Sequence, residues 1–167
     1  MARRPSAYFR FWNHFDDAGH RASDDGPRLE LLDDMTATQR RRVEGELLHR
    51  LQRDPAADGW VLDALGALHS AEAVPHLRAL VQGPVAEDAA IALWRISRWP
   101  GAVRVLRRVV NAEPGRQERR PPTMARRLEA ARYLAEIGSP TAKAALREVA
   151  RERGAPYRLQ RAVTAML

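Results

Sequence analysis

Cysteine is absent from this 167-residue chain, and lysine occurs once, at Lys143. The first absence removes disulfides, thiolate chemistry and any Cys-based zinc site. The second gives the basic charge a particular character, because 27 of the 28 basic residues are Arg. Alanine is also abundant, and an Ala-rich, Arg-for-Lys bias is what a GC-rich, bacterial type of genome produces without selection for binding. No apolar run of about 18 residues occurs, so no membrane span is expected. Nor does apolar–polar alternation persist anywhere, so no sheet is expected. The opening MARRPSAYFRFWNHF meets Arg10, His14, Asp16 and Asp17 before an apolar stretch develops. No signal peptide is therefore expected, and a cytoplasmic location is.

What is present suits one domain, 1–167, long enough to bury a core. The net charge of +7 invites a nucleic-acid reading. The charge is uneven, however. Residues 1–39 hold five Arg against seven acidic residues, whereas residues 104–127 hold eight Arg against Glu113 and Glu118. A polyanion, if one binds, is expected there.

Three stretches align with one another: DALGALHSAEAVPHLRALV (63–81), IALWRISRWPGAVRVLRRVV (91–110) and RYLAEIGSPTAKAALREVA (132–150). In register, Leu65, Leu93 and Leu134 correspond, as do Leu68, Ile96 and Ile137. Ala73, Ala102 and Ala142 follow, then Leu77, Leu106 and Leu146, each succeeded by an arginine: Arg78, Arg107 and Arg147. The copies recur at about 28 and then about 40 residues, the range of helical repeat arrays. Most of the excess is the insert NAEPGRQERRPPT (111–123), with one extra residue in the middle turn.

Each copy reads as two helices. Leu128, Ala131, Leu134, Ala135 and Ile137 keep the spacing of one helical face. Gly138 is expected to end that helix in a left-handed conformation, and Ser139-Pro140 to start the next with Ser as cap. The second helix is expected to bury Ala142, Ala145, Leu146 and Val149. Ser70 is the corresponding cap in the first copy. So short a pair cannot bury its apolar stripe alone and must stack on neighbours.

ALGALHSAEAVPHLRALV, with its small residues, turn, Ala-Val-Pro and Leu, closely resembles the HEAT-like repeats named after phycobilisome lyases. The resemblance spans about 58–153, and APYRLQRAVTAML extends it to residue 167. It implies an all-α fold, a right-handed α-solenoid of HEAT-like helix pairs over 58–167; residues 5–54 depart from the repeat and are expected to form an N-terminal helical cap. It implies no single function, since the family includes scaffolds, lyase subunits, regulators and DNA-repair enzymes.

In the cap, TATQRRRVEGELLHRLQRD (36–54) reads as one helix burying Val43, Leu47, Leu48 and Leu51. LELLDDM (29–35) reads as a short helix or turn, and 16–28 as a polar loop. YFRFWNHF (8–15) contains half of the chain's ten aromatics. Tyr8, Phe11, Trp12 and Phe15 share one helical face, begun near Pro5 or capped by Ser6, and suit a plug over the end of a stacked array. Phe9 points away, and a partner-gripping surface is the alternative. His14, Asp17 and His20 have a spacing that suggests a metal. Gly19 argues that the helix ends first, and no further ligand cluster exists. No metal and no cofactor are expected.

Trp94 replaces the small residues Gly66 and Ala135 of the other copies, beside an irregular turn at Trp99-Pro100-Gly101. Packing is the plain reading of Trp94 and Trp99; a protein anchor or a base-stacking platform are the others. Arg78, Arg107 and Arg147 should form a row along a concave face, joined by Arg104 and Arg108. Arg116, Arg119 and Arg120 extend the basic strip across the insert to Arg126 and Arg127. Such arginines commonly bond carboxylates and carbonyl ends of adjacent repeats; otherwise they form a groove for acidic protein or nucleic acid. No aromatic interrupts the strip between Arg104 and Arg127, which disfavours nucleic acid. The insert is too long and too rich in Pro, Gly and charge to be a simple turn.

The expectation is therefore a non-enzymatic adaptor, regulatory or immunity-type protein. Its partner is a protein with an acidic surface, met by the Arg-lined face, the 111–123 loop or both. The competing class is a nucleic-acid-binding HEAT-like protein resembling alkylpurine DNA glycosylases, although no equivalent Trp, Asp and Arg set falls in register with theirs. A bilin-lyase-like subunit rests on the name of the repeat alone.

Overall fold

The computed structural model describes residues 6–20, 28–54, 59–112, 123–152 and 155–167. Among these, nine α-helices and two 3-10 turns occur and no strand, as the missing alternation predicts. The helices are α1 (Ala7–His20), α2 (Ala37–Arg53), α3 (Gly59–Ala67), α4 (Val74–Leu80), α5 (Ala86–Ser97), α6 (Ala102–Val110), α7 (Met124–Ile137), α8 (Pro140–Arg151) and α9 (Tyr157–Met166). They fall into two compact units, Met1–Arg98 and Trp99–Leu167. The division passes between α5 and α6, the two helices of the middle sequence copy.

In the first unit, α1 starts where the Ser6 hydroxyl accepts the Phe9 N–H at 3.4 Å. It packs on the 3-10 turn Leu29–Leu32, whose Leu31 and Leu32 are buried. Phe11 and Phe15 are 1% and 2% exposed and Trp12 8%, while Phe9 stands out at 62%. The three buried rings lie 5.3–5.5 Å apart between centroids, within the range of favourable aromatic pairs. Each buried ring contributes roughly 1.5–3 kcal/mol. α2 ties α1 down with arginines. Arg50 lies 4.6 Å from the Trp12 ring and 5.5 Å from that of Phe15, while its Nη2 donates to Asp16 at 3.0 Å. The Tyr8 hydroxyl donates to Glu46 at 2.7 Å, under the Arg42 guanidinium. Burial, then the Glu46 hydrogen bond and charge, raise the Tyr8 phenol above its ordinary 10.0, with Arg42 opposing.

One expectation fails here. Residues 16–20 continue α1 rather than opening a loop, and Gly19 lies inside the helix. A single Gly weakens a helix by only about 1 kcal/mol relative to Ala, too little to end one anchored by buried aromatics. α2 follows its expected course: Thr36 and Gln39 form a capping box, and Val43, Leu47, Leu48 and Leu51 are buried. It packs on α3, and α5 packs on both α3 and α4. Gly66 lets α3 and α5 approach closely, since a Cβ there would lie 3.1 Å from the Ala92 Cα.

The repeat register is legible in burial. Leu65, Leu93, Leu134, Ala73, Ala102, Ala142, Leu77, Leu106 and Leu146 are all buried, and Leu68, Ile96 and Ile137 are all half-buried. Three residues among those described have positive φ: His69 (53°), Arg98 (53°) and Gly138 (62°). Each stands at the turn inside one helix pair. Gly138 ends α7 as expected, its N–H reaching the Leu134 carbonyl at 3.2 Å, and Ser139 caps α8 through the Ala142 N–H. Ser70 does not cap with its side chain. The chain leaves it in the 3-10 turn Ala71–Ala73, where the Ser70 carbonyl accepts the Ala73 N–H at 3.2 Å. The hydroxyl is left buried without a partner.

In the second unit, α7 packs on α6, α8 and α9, and α8 packs on α6 and α9. α8 buries Ala142, Ala145, Leu146 and Val149 as expected. α7 buries Arg127, Ala130, Ala131 and Leu134, whereas Leu128, Ala135 and Ile137 are half-buried. Its inner stripe is rotated toward Arg127 from the face the apolar pattern predicts.

Candidate partner-binding face

α6 has one residue in three or four facing solvent, and each is an arginine. Ala102, Val103, Val105, Leu106 and Val110 are buried, and Arg104, Arg107 and Arg108 are exposed. At i, i+3 and i+4 these cations share one face. α8 presents Lys143, Arg147 and Arg151 opposite its buried stripe. Arg107 reaches from α6 to Glu148 of α8, with Nη2 at 2.8 Å from Oε2 and 3.1 Å from Oε1. Both side chains are about half exposed, so the pair is worth at most about 1 kcal/mol; it matters more for charge than for stability. Arg104, Arg108, Arg147 and Arg151 have no partner among the described residues.

Beside this face lies a groove of about 820 Å³, lined by Asn111, Ala144, Arg147, Glu148, Arg151 and Glu152. The Asn111 side-chain oxygen is enclosed there without a hydrogen-bond partner.

The other sequence candidates divide as follows. Arg78 is exposed on α4, in the first unit. Arg116, Arg119, Arg120 and most of the insert lie outside the described residues. Trp94 is half-buried on α5, with the Arg98 guanidinium 5.0 Å from its ring and its indole N–H enclosed without a partner. Trp99 is half-buried too, and its ring folds so closely over Gly101 that a Cβ there would come within 2.1 Å of it. Arg127 does not belong to the surface strip. It is 6% exposed and donates to the Val110 carbonyl from Nε at 3.0 Å and Nη2 at 2.8 Å. The apolar pattern hides it, because an arginine at the i−3 and i−4 positions from Ala130 and Ala131 reads as polar. Sequence reasoning also missed the ion pair of Arg95 with Asp63, which joins α5 to α3.

Among the described residues no group of three His, Asp or Glu side chains could hold a metal, and no helix is long and apolar enough to cross a membrane. The side chains of Asp17 and His20 lie outside the described set.

Residues 59–83 and 126–152 match the PBS lyase HEAT-like repeat. The chain carries HEAT-like repeats of this type. The first match covers α3 and α4 and the second covers α7 and α8, so both are helix pairs of the α-solenoid class. α5 and α6, aligned from sequence as the middle copy, fall outside the matched segments. That copy carries the extra turn residue, a left-handed Arg98 in place of glycine and the Trp99 ring over Gly101. No curated protein and no solved structure matches the chain. On the HEAT-like pair α7–α8, the arginine that follows the third repeat leucine, Arg147, is a wall of the groove.

Proposed function

We propose that the protein is a non-catalytic interaction module, of adaptor, regulatory or immunity type, that binds a protein partner with an acidic surface. HEAT-like repeats generally mediate protein–protein interaction, which supports the first half of the reading. The second half rests on one observation: Arg104, Arg108, Arg147 and Arg151 face solvent and make no ion pair among the described residues. Uncompensated cations on a face steer an oppositely charged partner and raise its association rate. The insert 111–123 carries three further arginines, Arg116, Arg119 and Arg120, against Glu113 and Glu118.

The test is affinity capture from nuclease-treated lysate of the native cells. Wild type is compared with an Arg104→Glu/Arg108→Glu/Arg147→Glu variant of unchanged helicity. A stoichiometric protein retained by wild type and lost by the variant is the expected result. Recovery of nucleic acid alone from untreated lysate would refute the reading.

A further inference from the structure

We infer that the groove beside α8 receives two carboxylates one turn apart on a helical segment of the partner, a deepening that rests on the interaction-module reading. Arg147 and Arg151 stand at i and i+4 on one helix. Their Cα atoms are therefore about 6 Å apart along its axis and their side chains share a face. An acidic pair at i and i+4 on a second helix has the same spacing.

The charges around the groove select for this. Glu148, which follows Arg147 on α8, is held by Arg107 at 2.8 Å and so is engaged by a cation outside the groove. Arg147 and Arg151 have no other partner among the described residues. Glu152 in the wall opposes a continuous phosphate chain, which cannot keep its charges away from it. A helix with two isolated carboxylates can. No aromatic lines the groove, so base stacking has no platform. At about 820 Å³ the groove takes side chains and one face of a helix, not a folded domain.

The test is fluorescence anisotropy with the full chain and a labelled alanine-based helical peptide bearing two Glu-x-x-x-Glu pairs. The same peptide with Gln for Glu is the reference. Wild type should bind the Glu peptide about tenfold more tightly than the Gln peptide. An Arg147→Glu/Arg151→Glu variant should lose that preference, and Arg147→Lys/Arg151→Lys should keep most of it. Arg41→Glu/Arg53→Glu, exposed on α2 and outside the basic face, should change it by less than about threefold. Equal affinity for the two peptides, or an equal loss in the Arg41/Arg53 variant, overturns the inference. The broader reading fails separately. If a captured protein partner survives Arg147→Glu/Arg151→Glu but not Arg104→Glu/Arg108→Glu, the module stands and the groove does not. If no variant and no wild type retains a protein, both fall.

Discussion

The guanidinium of Arg127 donates two hydrogen bonds to one oxygen, the carbonyl of Val110, at 3.0 and 2.8 Å. Val110 is the last residue of α6 and Arg127 lies in the first turn of α7, so the bond closes the base of the insert. The last carbonyls of a helix have no intrahelical donor and carry partial negative charge. A buried cation there satisfies the carbonyl and meets the helix dipole.

Replacing Arg127 by Met keeps much of its volume and removes both donors. The buried Val110 carbonyl is then unsatisfied, which should cost about 1–3 kcal/mol. At this chain length that lowers Tm by about 2–4 °C for each kcal/mol. Arg108→Met, on the exposed face, should stay within about 0.5 kcal/mol. Urea and thermal unfolding of the two variants check this, and equal effects would place Arg127 back on the surface strip.

The turns make a prediction of opposite sign. His69 and Arg98 hold the left-handed conformation that Gly138 holds in the third pair. Side chains other than glycine disfavour it by about 1–2 kcal/mol, partly offset by the greater unfolded entropy of glycine. His69→Gly should raise stability by about 0.5–1 kcal/mol, Arg98→Gly by less because it also loses the contact of the guanidinium with the Trp94 ring, and Gly138→Ala should lower it by about 1 kcal/mol. Denaturant midpoints measured on the three variants settle the signs.

For the aromatic helix, Phe11→Ala and Phe15→Ala should each cost about 3–5 kcal/mol, as for other large buried rings. Phe9→Ser should be nearly neutral, within about 0.5 kcal/mol. Hydrogen exchange in α1 should accelerate in the first two and not in the third. A large loss in the Phe9 variant would mean that its exposed ring is covered in solution.

Tyr8 supplies a pH dependence. Its phenol is raised above 10.0 by burial first and by Glu46 next, with Arg42 opposing. The folded state therefore favours the protonated form. The contribution is complete below the ordinary phenol value and is lost as pH rises through the folded one. Stability of wild type should fall in that alkaline window more steeply than that of Tyr8→Phe. Below it, the variant should be less stable by about 0.5–1.5 kcal/mol, the worth of one hydrogen bond. Parallel slopes in the two proteins would remove Tyr8 as the cause.

Much of the fold was legible because it rests on periodicity. The nine repeat positions from Leu65 to Leu146 are buried in the alignment's own order, and Thr36, Gly138 and Ser139 end or begin helices as their chemistry dictates. Cooperative and long-range effects were not legible. Nothing local says that α1 crosses Gly19, or that Ser70 leads into a 3-10 turn. Arg127 reads as surface charge until the carbonyl it serves, 17 residues earlier, is known. For the candidate site, the sequence shows that Arg107 and Arg147 are exposed at equivalent positions. It does not show that Glu148 pairs with one of them, because the pairing depends on how α6 meets α8.

The central claim is that the basic surface serves a protein rather than nucleic acid. The most direct measurement is a titration of the full chain with generic duplex DNA at two salt concentrations, beside the acidic helical peptide. The account predicts weak, non-saturating DNA binding and saturable peptide binding. Tight DNA binding that falls steeply with salt, and vanishes when Arg116, Arg119 and Arg120 are reversed to Glu, would contradict it.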